Sequence, residues 1–179
     1  MVALSQQKIV ALLADGDAAP TAFEKGRKLE EVIAYVFGKV PGVKFYKSNI
    51  INNAGSEEVD VAFFNGKQRG GLPFLEYFLL VECKNWSSPV GAIHVRKFAT
   101  KLKHRACPYG VLVAANGITG IMQDRTAAHD AIRMALAVED ISIIVVTRNE
   151  LEAWIDTSEV VDLFKLKLCE LTVDGSIFV

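Results

Sequence analysis

The segment Leu79-Leu80-Val81-Glu82-Cys83-Lys84 limits how the chain can fold, because it closes a long apolar run that begins at Phe74. Such a run is typical of a strand buried at the centre of a sheet. It ends in Glu82 and Lys84, whose two-residue spacing directs both side chains to one face of the strand. The pair is either solvated past the buried part of the strand or kept for function, since burying charges is costly unless they are paired or bound to a metal.

The segments on either side of this strand predict an α/β fold with a mixed sheet and helices on both faces. Upstream, residues 43–51 and 58–64 are rich in Val, Ile and aromatic residues and are separated by the turn-forming residues 53–56, so we predict two adjacent strands. Downstream, we predict a helix at about 93–105, a strand at 110–115, a helix at about 121–138 and a strand at 141–147. With a helix at each end, the order becomes α-β-β-β-α-β-α-β-α.

We interpret residues 1–179 as one domain with a core at about 21–147. Residues 1–20 and 148–179 are then helical additions to that core. The first addition contains a predicted short helix at 5–14, which a turn at Asp15-Gly16-Asp17 ends.

The first helix of the core has a clear start signal. Thr21 followed by Glu24 is a capping-box pattern, and apolar residues then recur at three- and four-residue steps until Pro41-Gly42 stops the helix. The segment after Asn149 is also predicted to be mainly helical, to about Leu171.

The composition predicts a soluble globular protein in the reducing environment of the cytoplasm. Of its 179 residues 51% are apolar, and the three cysteines show no paired spacing that would indicate a disulfide framework or a structural zinc site. No apolar stretch is long enough to span a membrane.

The net charge of -1 is an average over two regions of opposite net charge. Residues 83–123 carry six basic and no acidic side chains, and the remainder carries 14 basic and 21 acidic ones.

Acidic residues on neighbouring elements accompany Glu82. In Glu58-Val59-Asp60-Val61 the alternation places Asp60 on the face opposite to the two valines, and a hairpin would bring it beside Glu82. Two carboxylates with an ammonium beside them can hold a hard divalent cation and orient a water. Glu30, at the margin of the long helix's apolar face, is a third candidate, with Glu31 as its rival. Gly26, one turn earlier, is predicted to allow close approach to the sheet.

These motifs together resemble a known family. The ordered set consists of G-x-x-L-E at 26–30, E-V-D-V at 58–61, V-E-C-K-N-W at 81–86, P-V-G at 89–91 and R-K-F-A-T-K-L at 96–102. It is similar to the PD-(D/E)XK nuclease superfamily, in particular to Mrr-like restriction endonuclease domains.

The resemblance implies a restriction-endonuclease-like fold and a metal-dependent phosphodiesterase. It implies that Asp60 and Glu82 ligate Mg²⁺, with Mn²⁺ as a substitute, and that the backbone carbonyl of Cys83 completes part of the metal shell. Lys84 would orient or help deprotonate the attacking water and stabilise charge on phosphorus. Glu30 matches the helix carboxylate that in such enzymes contacts a metal-bound water or a second metal.

The basic residues after the predicted catalytic strand indicate where nucleic acid would lie. A helical stripe of like charge beside a catalytic strand is suited to a phosphate backbone, and a solvated helix face is the alternative. The predicted nucleic-acid-binding residues are Arg96, Lys97, Lys101, Lys103 and Arg105, and Lys97, Lys101, His104 and Arg105 form one stripe.

Two functions remain open at this point. The first is a Mg²⁺-dependent endonuclease acting on DNA in restriction, defence or repair, as a homodimer or with a separate target-recognition subunit and without a membrane partner. The second is a catalytically inactive subunit of the same fold that binds nucleic acid or a protein. Trp86 is interpreted as a packing residue, with stacking on a base as the alternative.

Overall fold

A computed structural model of the chain describes residues 1–51, 57–120, 127–173 and 175. The strands are β1 (Val43–Ile51), β2 (Glu58–Asn65), β3 (Phe78–Lys84), β4 (Tyr109–Ala114) and β5 (Ser142–Val146). The helices are α1 (Gln6–Ala18), α2 (Ala22–Phe37), α3 (Ala92–His104), α4 (Ala127–Glu139), α5 (Arg148–Ala153) and α6 (Thr157–Val173).

The five strands form one mixed sheet in the order β1-β2-β3-β4-β5. The first three pair antiparallel, whereas β3, β4 and β5 pair parallel. Parallel neighbours need a crossover, and α3 and α4 provide the two crossovers. The predicted mixed α/β sheet flanked by helices is therefore confirmed, with β3 at its centre.

Two core layers cover the faces of the sheet. In the first layer, α1, α2 and α6 pack on one face, where the ring centroid of Phe37 lies 5.5 Å from that of Phe63 and 5.6 Å from that of Phe164. In the second layer, α3 and α4 cover the other face through residues such as Phe98 and Ile132. Among the described helices, none combines the length and the apolar character needed to cross a membrane.

The capping box at the start of α2 is confirmed. The Thr21 hydroxyl accepts a hydrogen bond from the backbone N–H of Glu24, and the Glu24 carboxylate accepts one from the backbone N–H of Thr21, both at 3.2 Å. Two backbone donors that a helix start leaves unpaired are thereby satisfied. The cap fixes where α2 begins.

The predicted turn at Asp15-Gly16-Asp17 is wrong, because α1 continues through it to Ala18. Gly16 is instead a close-packing position: a Cβ there would lie 3.2 Å from Lys28 Cβ and 3.3 Å from Asn85 Nδ2. The missing side chain lets α1 lie tightly against α2, which a local turn signal does not reveal.

Two other predicted segments differ from the structure or lie partly outside it. The C-terminal helix is divided into α5 and α6, because Trp154 leaves the helix with its ring buried and the Asp156 carboxylate accepts a hydrogen bond from the N–H of Ser158 at 2.7 Å. The predicted turn at 53–56 and the start of the predicted helix at 121–138 lie outside the described residues.

Gly110, in the inner strand β4, determines how closely α3 approaches the sheet. A Cβ there would lie 2.5 Å from Leu102 Cδ1 and 2.7 Å from Phe98 Cζ, and both of those side chains are buried. We expect Gly110→Ala to lower the free energy of unfolding by about 1–3 kcal/mol through overpacking. Chemical denaturation measures this. The matched control is Gly26→Ala in α2, where a Cβ would meet no atom within 4 Å.

The control should shift stability in the opposite direction. Ala is a better helix former than Gly by about 0.8–1.0 kcal/mol in a helix interior, so Gly26→Ala is expected to stabilise the protein. Equal stability of the two variants would contradict the close approach of α3 at Gly110.

Candidate active site

The candidate site forms where β2 and β3 stop pairing. Their antiparallel ladder ends at Val61 opposite Val81. Asp60 immediately precedes Val61 in β2, and its Oδ2 accepts a hydrogen bond from the backbone N–H of Cys83 at 2.6 Å. A side chain thus replaces a strand partner, and this bond holds Asp60 against the end of β3.

The residues around Asp60 do not alternate as predicted. Val59 packs in the second layer, whereas Val61 packs in the first layer, so the two valines do not share a face. On the neighbouring strand, Asn49 has a φ of 52°, which lies outside the extended region. A two-residue period assumes regular strands, and the strands are irregular here.

Glu82 is a buried carboxylate bound by two lysines. Its Oε1 lies 2.8 Å from Nζ of Lys84, the next residue on the same face of β3. Lys101 reaches it from α3, with Nζ 2.8 Å from Oε1 and 2.7 Å from Oε2. The structure therefore brings Glu82 and Lys84 together as predicted and adds Lys101.

Lys84 links the two carboxylates. Its Nζ is 2.8 Å from Glu82 and 4.0 Å from Oδ2 of Asp60. Burial lowers the pKa of Lys84, but the negative charges of Glu82 and Asp60 outweigh burial, and the pKa is raised above its usual value. Lys84 is therefore an ammonium at neutral pH and acts as a fixed positive charge.

Glu30, and not its rival Glu31, faces the site. Burial and then the charge of Asp60 raise the pKa of Glu30 to about 7, and Arg27, 3.7 Å away, opposes the shift. Glu31 is about half exposed and pairs with Lys28 at 3.0 Å. The two neighbouring acids therefore lie on different sides of α2, and Glu30 is the one that lines the site.

A cleft of about 190 Å³ lies between the start of α2 and the end of β3. Gly26 lines it, and because a Cβ there would meet no atom within 4 Å, the predicted close approach of this glycine to the sheet is wrong. The missing side chain leaves the cleft open instead. The lining residues are Ala22, Phe23, Gly26, Glu30, Asn49, Glu58, Asp60, Cys83, Lys84, Asn85 and Trp86.

Burial and the charge of Glu82 also raise the pKa of Asp60. Carboxylates that crowd together in this way destabilise one another's ionised forms unless a cation joins them. The sequence model of a family described as restriction endonuclease, the Mrr catalytic type, matches residues 24–155. The chain belongs to this restriction endonuclease family. No curated protein matches the chain.

The donor chemistry of this restriction endonuclease fits a hard divalent cation. Carboxylate oxygens of Asp60 and Glu82 and the carbonyl oxygen of Cys83 are the ligand type that Mg²⁺ prefers. Within the described ranges, no three acidic, histidine or cysteine side chains are placed to hold one ion, and the donor set here consists of two carboxylates and one carbonyl oxygen. Both oxygens of Glu82 are also in contact with a lysine ammonium, at 2.8 and 2.7 Å.

Most of the predicted basic stripe of α3 is paired with acids from other parts of the chain. Lys101 binds Glu82, and Lys103 lies 3.0 Å from Glu139. His104 and Arg105 both pair with Glu57, at 2.7 and 2.9 Å. These acidic partners, Glu57, Glu82 and Glu139, all lie outside residues 83–123, so the local sequence around α3 does not reveal them. Arg96 and Lys97 are exposed and have no acidic partner within the described residues.

Trp86 combines packing with exposure to the cleft. Its ring is partly buried against the second layer and meets His94 edge-on, with ring centroids 4.5 Å apart. It also lines the cleft, where Nζ of Lys84 lies 5.8 Å from the ring centroid. The packing interpretation of Trp86 is therefore compatible with the geometry, and one side of the residue remains available to a ligand.

Proposed function

We propose that this chain is a divalent-metal-dependent endonuclease that hydrolyses phosphodiester bonds of DNA, with a role in restriction, defence or repair. The observation that carries the proposal is the meeting of Asp60, Glu82 and Lys84 at the open end of β3. Restriction endonuclease membership supports nuclease chemistry. Mg²⁺ is the proposed cofactor, and Mn²⁺ is expected to replace it.

Each site residue has a role that its position suits. Asp60, Glu82 and the carbonyl of Cys83 would hold the metal, which when bound supplies Lewis acidity and lowers the pKa of a water. Lys84, between the Asp60 and Glu82 carboxylates, would place positive charge beside the scissile phosphate and orient the attacking water. Glu30, on the α2 side of the cleft, would orient the water or contact a second ion.

Two exposed basic residues are suited to bind the DNA backbone. Arg96 and Lys97 lie on α3, the helix that also contacts Glu82 through Lys101. Positive side chains without acidic partners gain more from a phosphate than paired ones do. We propose that this pair contacts the DNA backbone and that the paired residues Lys103 and Arg105 contribute less.

Metal removal tests the proposed function directly. Supercoiled plasmid is expected to be nicked in Mg²⁺ or Mn²⁺, and excess EDTA is expected to abolish nicking, since the Lys84 ammonium in the cleft cannot lower the pKa of a water as a metal does. Agarose electrophoresis over a metal titration measures this, with linear duplex, single-stranded DNA and RNA as parallel substrates. Cleavage that persists in EDTA would contradict metal dependence.

The same experiment separates the two functions. Salt-sensitive DNA binding without cleavage, in every metal and with every substrate tested, would support a non-catalytic nucleic-acid-binding subunit instead. Nicking that co-purifies with the wild-type protein but not with the Asp60→Asn variant would exclude a contaminating nuclease.

A further inference from the structure

Both oxygens of the Glu82 carboxylate are occupied by ammonium groups. Lys84 holds Oε1 at 2.8 Å, and Lys101 holds Oε2 at 2.7 Å and also reaches Oε1. The side chain of Glu82 is only 7% exposed, so water offers these ions little competition. Together with Asp60 the group contains two negative and two positive charges, and it is neutral without a metal.

A divalent cation at this site would therefore compete with the lysines for Glu82. A divalent cation coordinates carboxylate oxygen at about 2.0–2.1 Å for Mg²⁺, closer than either ammonium lies. An added ion would also stand near two existing positive charges, which is unfavourable at short range in a partly buried site. The three ammonium contacts take up three of the roughly four lone-pair sites of the Glu82 carboxylate, so withdrawal of one lysine would make that carboxylate a much better ligand for the ion.

The geometry indicates which lysine withdraws. Lys84 stands on the same strand face as Glu82 and is also attracted by Asp60 at 4.0 Å. Lys101 comes from α3, and within the described residues its ammonium contacts only Glu82. Withdrawal of Lys101 leaves Glu82 paired with Lys84, whereas withdrawal of Lys84 would remove the ammonium that also neutralises Asp60.

We propose that Lys101 is a positioning residue that competes with the divalent cation for the Glu82 carboxylate and so keeps metal affinity low in the free protein. This inference rests on the proposed metal-dependent function. It goes further by giving a residue of α3 control over how the metal site is filled.

A consequence for the substrate follows from linkage. If metal binding releases Lys101, the freed ammonium can pair with a phosphate, and a phosphate that attracts Lys101 makes Glu82 available to the metal. Because coupling between two ligands is reciprocal, DNA and metal each strengthen the binding of the other.

Binding of Mn²⁺ to the complete chain without nucleic acid tests the proposal. The electron paramagnetic resonance signal of free Mn²⁺ gives the affinity of wild type, Lys101→Met, Lys101→Arg and Lys103→Met. Lys101→Met is expected to bind Mn²⁺ about tenfold more tightly, a difference of about 1.4 kcal/mol. Lys101→Arg retains the charge and should bind like wild type. Lys103→Met, which removes a lysine paired with Glu139 on the same helix, should not change the affinity.

Glu82→Gln and Asp60→Asn distinguish the possible failures. Unchanged or weaker Mn²⁺ binding in Lys101→Met would overturn the role of Lys101, while weaker binding in Glu82→Gln would still support the metal site. Tighter binding by Lys101→Met in a Glu82→Gln background would also overturn it, because the effect would not pass through Glu82. If neither Glu82→Gln nor Asp60→Asn weakens binding, the metal-dependent function itself fails. Thermal unfolding of each variant verifies that it is folded.

Discussion

Asp60→Asn is expected to lower the rate of DNA cleavage by at least about 10³-fold, on the order of 4 kcal/mol of transition-state stabilisation. The variant keeps the volume of the side chain and an oxygen that can accept the N–H of Cys83, but it loses the charge that would bind a cation. Single-turnover cleavage of labelled DNA in Mg²⁺ measures the effect.

The same substitution should not cost stability. Burial and then the charge of Glu82 raise the pKa of Asp60, so the native state disfavours its ionised form relative to the unfolded chain. At pH 7 the removal of this charge is expected to leave the melting temperature unchanged or to raise it. Loss of activity with retained stability would show that Asp60 is kept for chemistry.

Asp162→Asn is the matched control. Asp162 lies on α6 with a 70% exposed side chain, paired with Lys165 at 3.0 Å, so both activity and melting temperature should match wild type. Cleavage by Asp60→Asn within about threefold of the wild-type rate would exclude a role in transition-state stabilisation. A marked fall in melting temperature would attribute the lost activity to unfolding.

Phe164→Ala is expected to lower the free energy of unfolding by about 3–5 kcal/mol. Phe164 is fully buried in the first layer, where its ring meets Phe37 edge-on with centroids 5.6 Å apart. For a chain of this size the loss corresponds to a fall of about 10 °C in melting temperature. The large effect is expected although α6 lies beyond residues 24–155, which match the family.

Leu166→Ala on the same helix is the control. Its side chain is 53% exposed, and its removal should change the unfolding free energy by less than about 0.5 kcal/mol. Denaturation followed by circular dichroism compares the two. A small effect of Phe164→Ala, or two separate transitions in wild type, would contradict the prediction that residues 1–179 form one domain.

Local patterns predicted most of the fold because the relevant forces act locally. The capping box at Thr21, the Val, Ile and aromatic content of residues 43–51 and 58–64 and the apolar run into β3 each reflect contacts within a few residues, and the helix start and the three strands that they predict are confirmed. The turn at Asp15-Gly16-Asp17 was predicted wrongly because the role of Gly16 depends on contact with α2. A glycine alone does not show whether it serves a turn or close packing.

The site could be predicted only in part, for a related reason. Asp60, Glu82 and Lys84 come together through pairing of adjacent strands, which sequence order indicates. Lys101 reaches Glu82 only after the chain crosses over the sheet, and Arg105 meets Glu57 across 48 positions. Charge patterns along the chain cannot show such partners, so a helix that looked uniformly basic has mostly compensated charges.

The distribution of the two tryptophans gives the protein a built-in optical reporter. Trp154 is buried away from water at 3% exposure, whereas Trp86 borders the cleft and lies edge-on to His94. Emission from the first reports on the integrity of the fold, and emission from the second responds to what enters the site. A Trp154→Phe protein would therefore allow ligand entry to be followed by intrinsic fluorescence without a label.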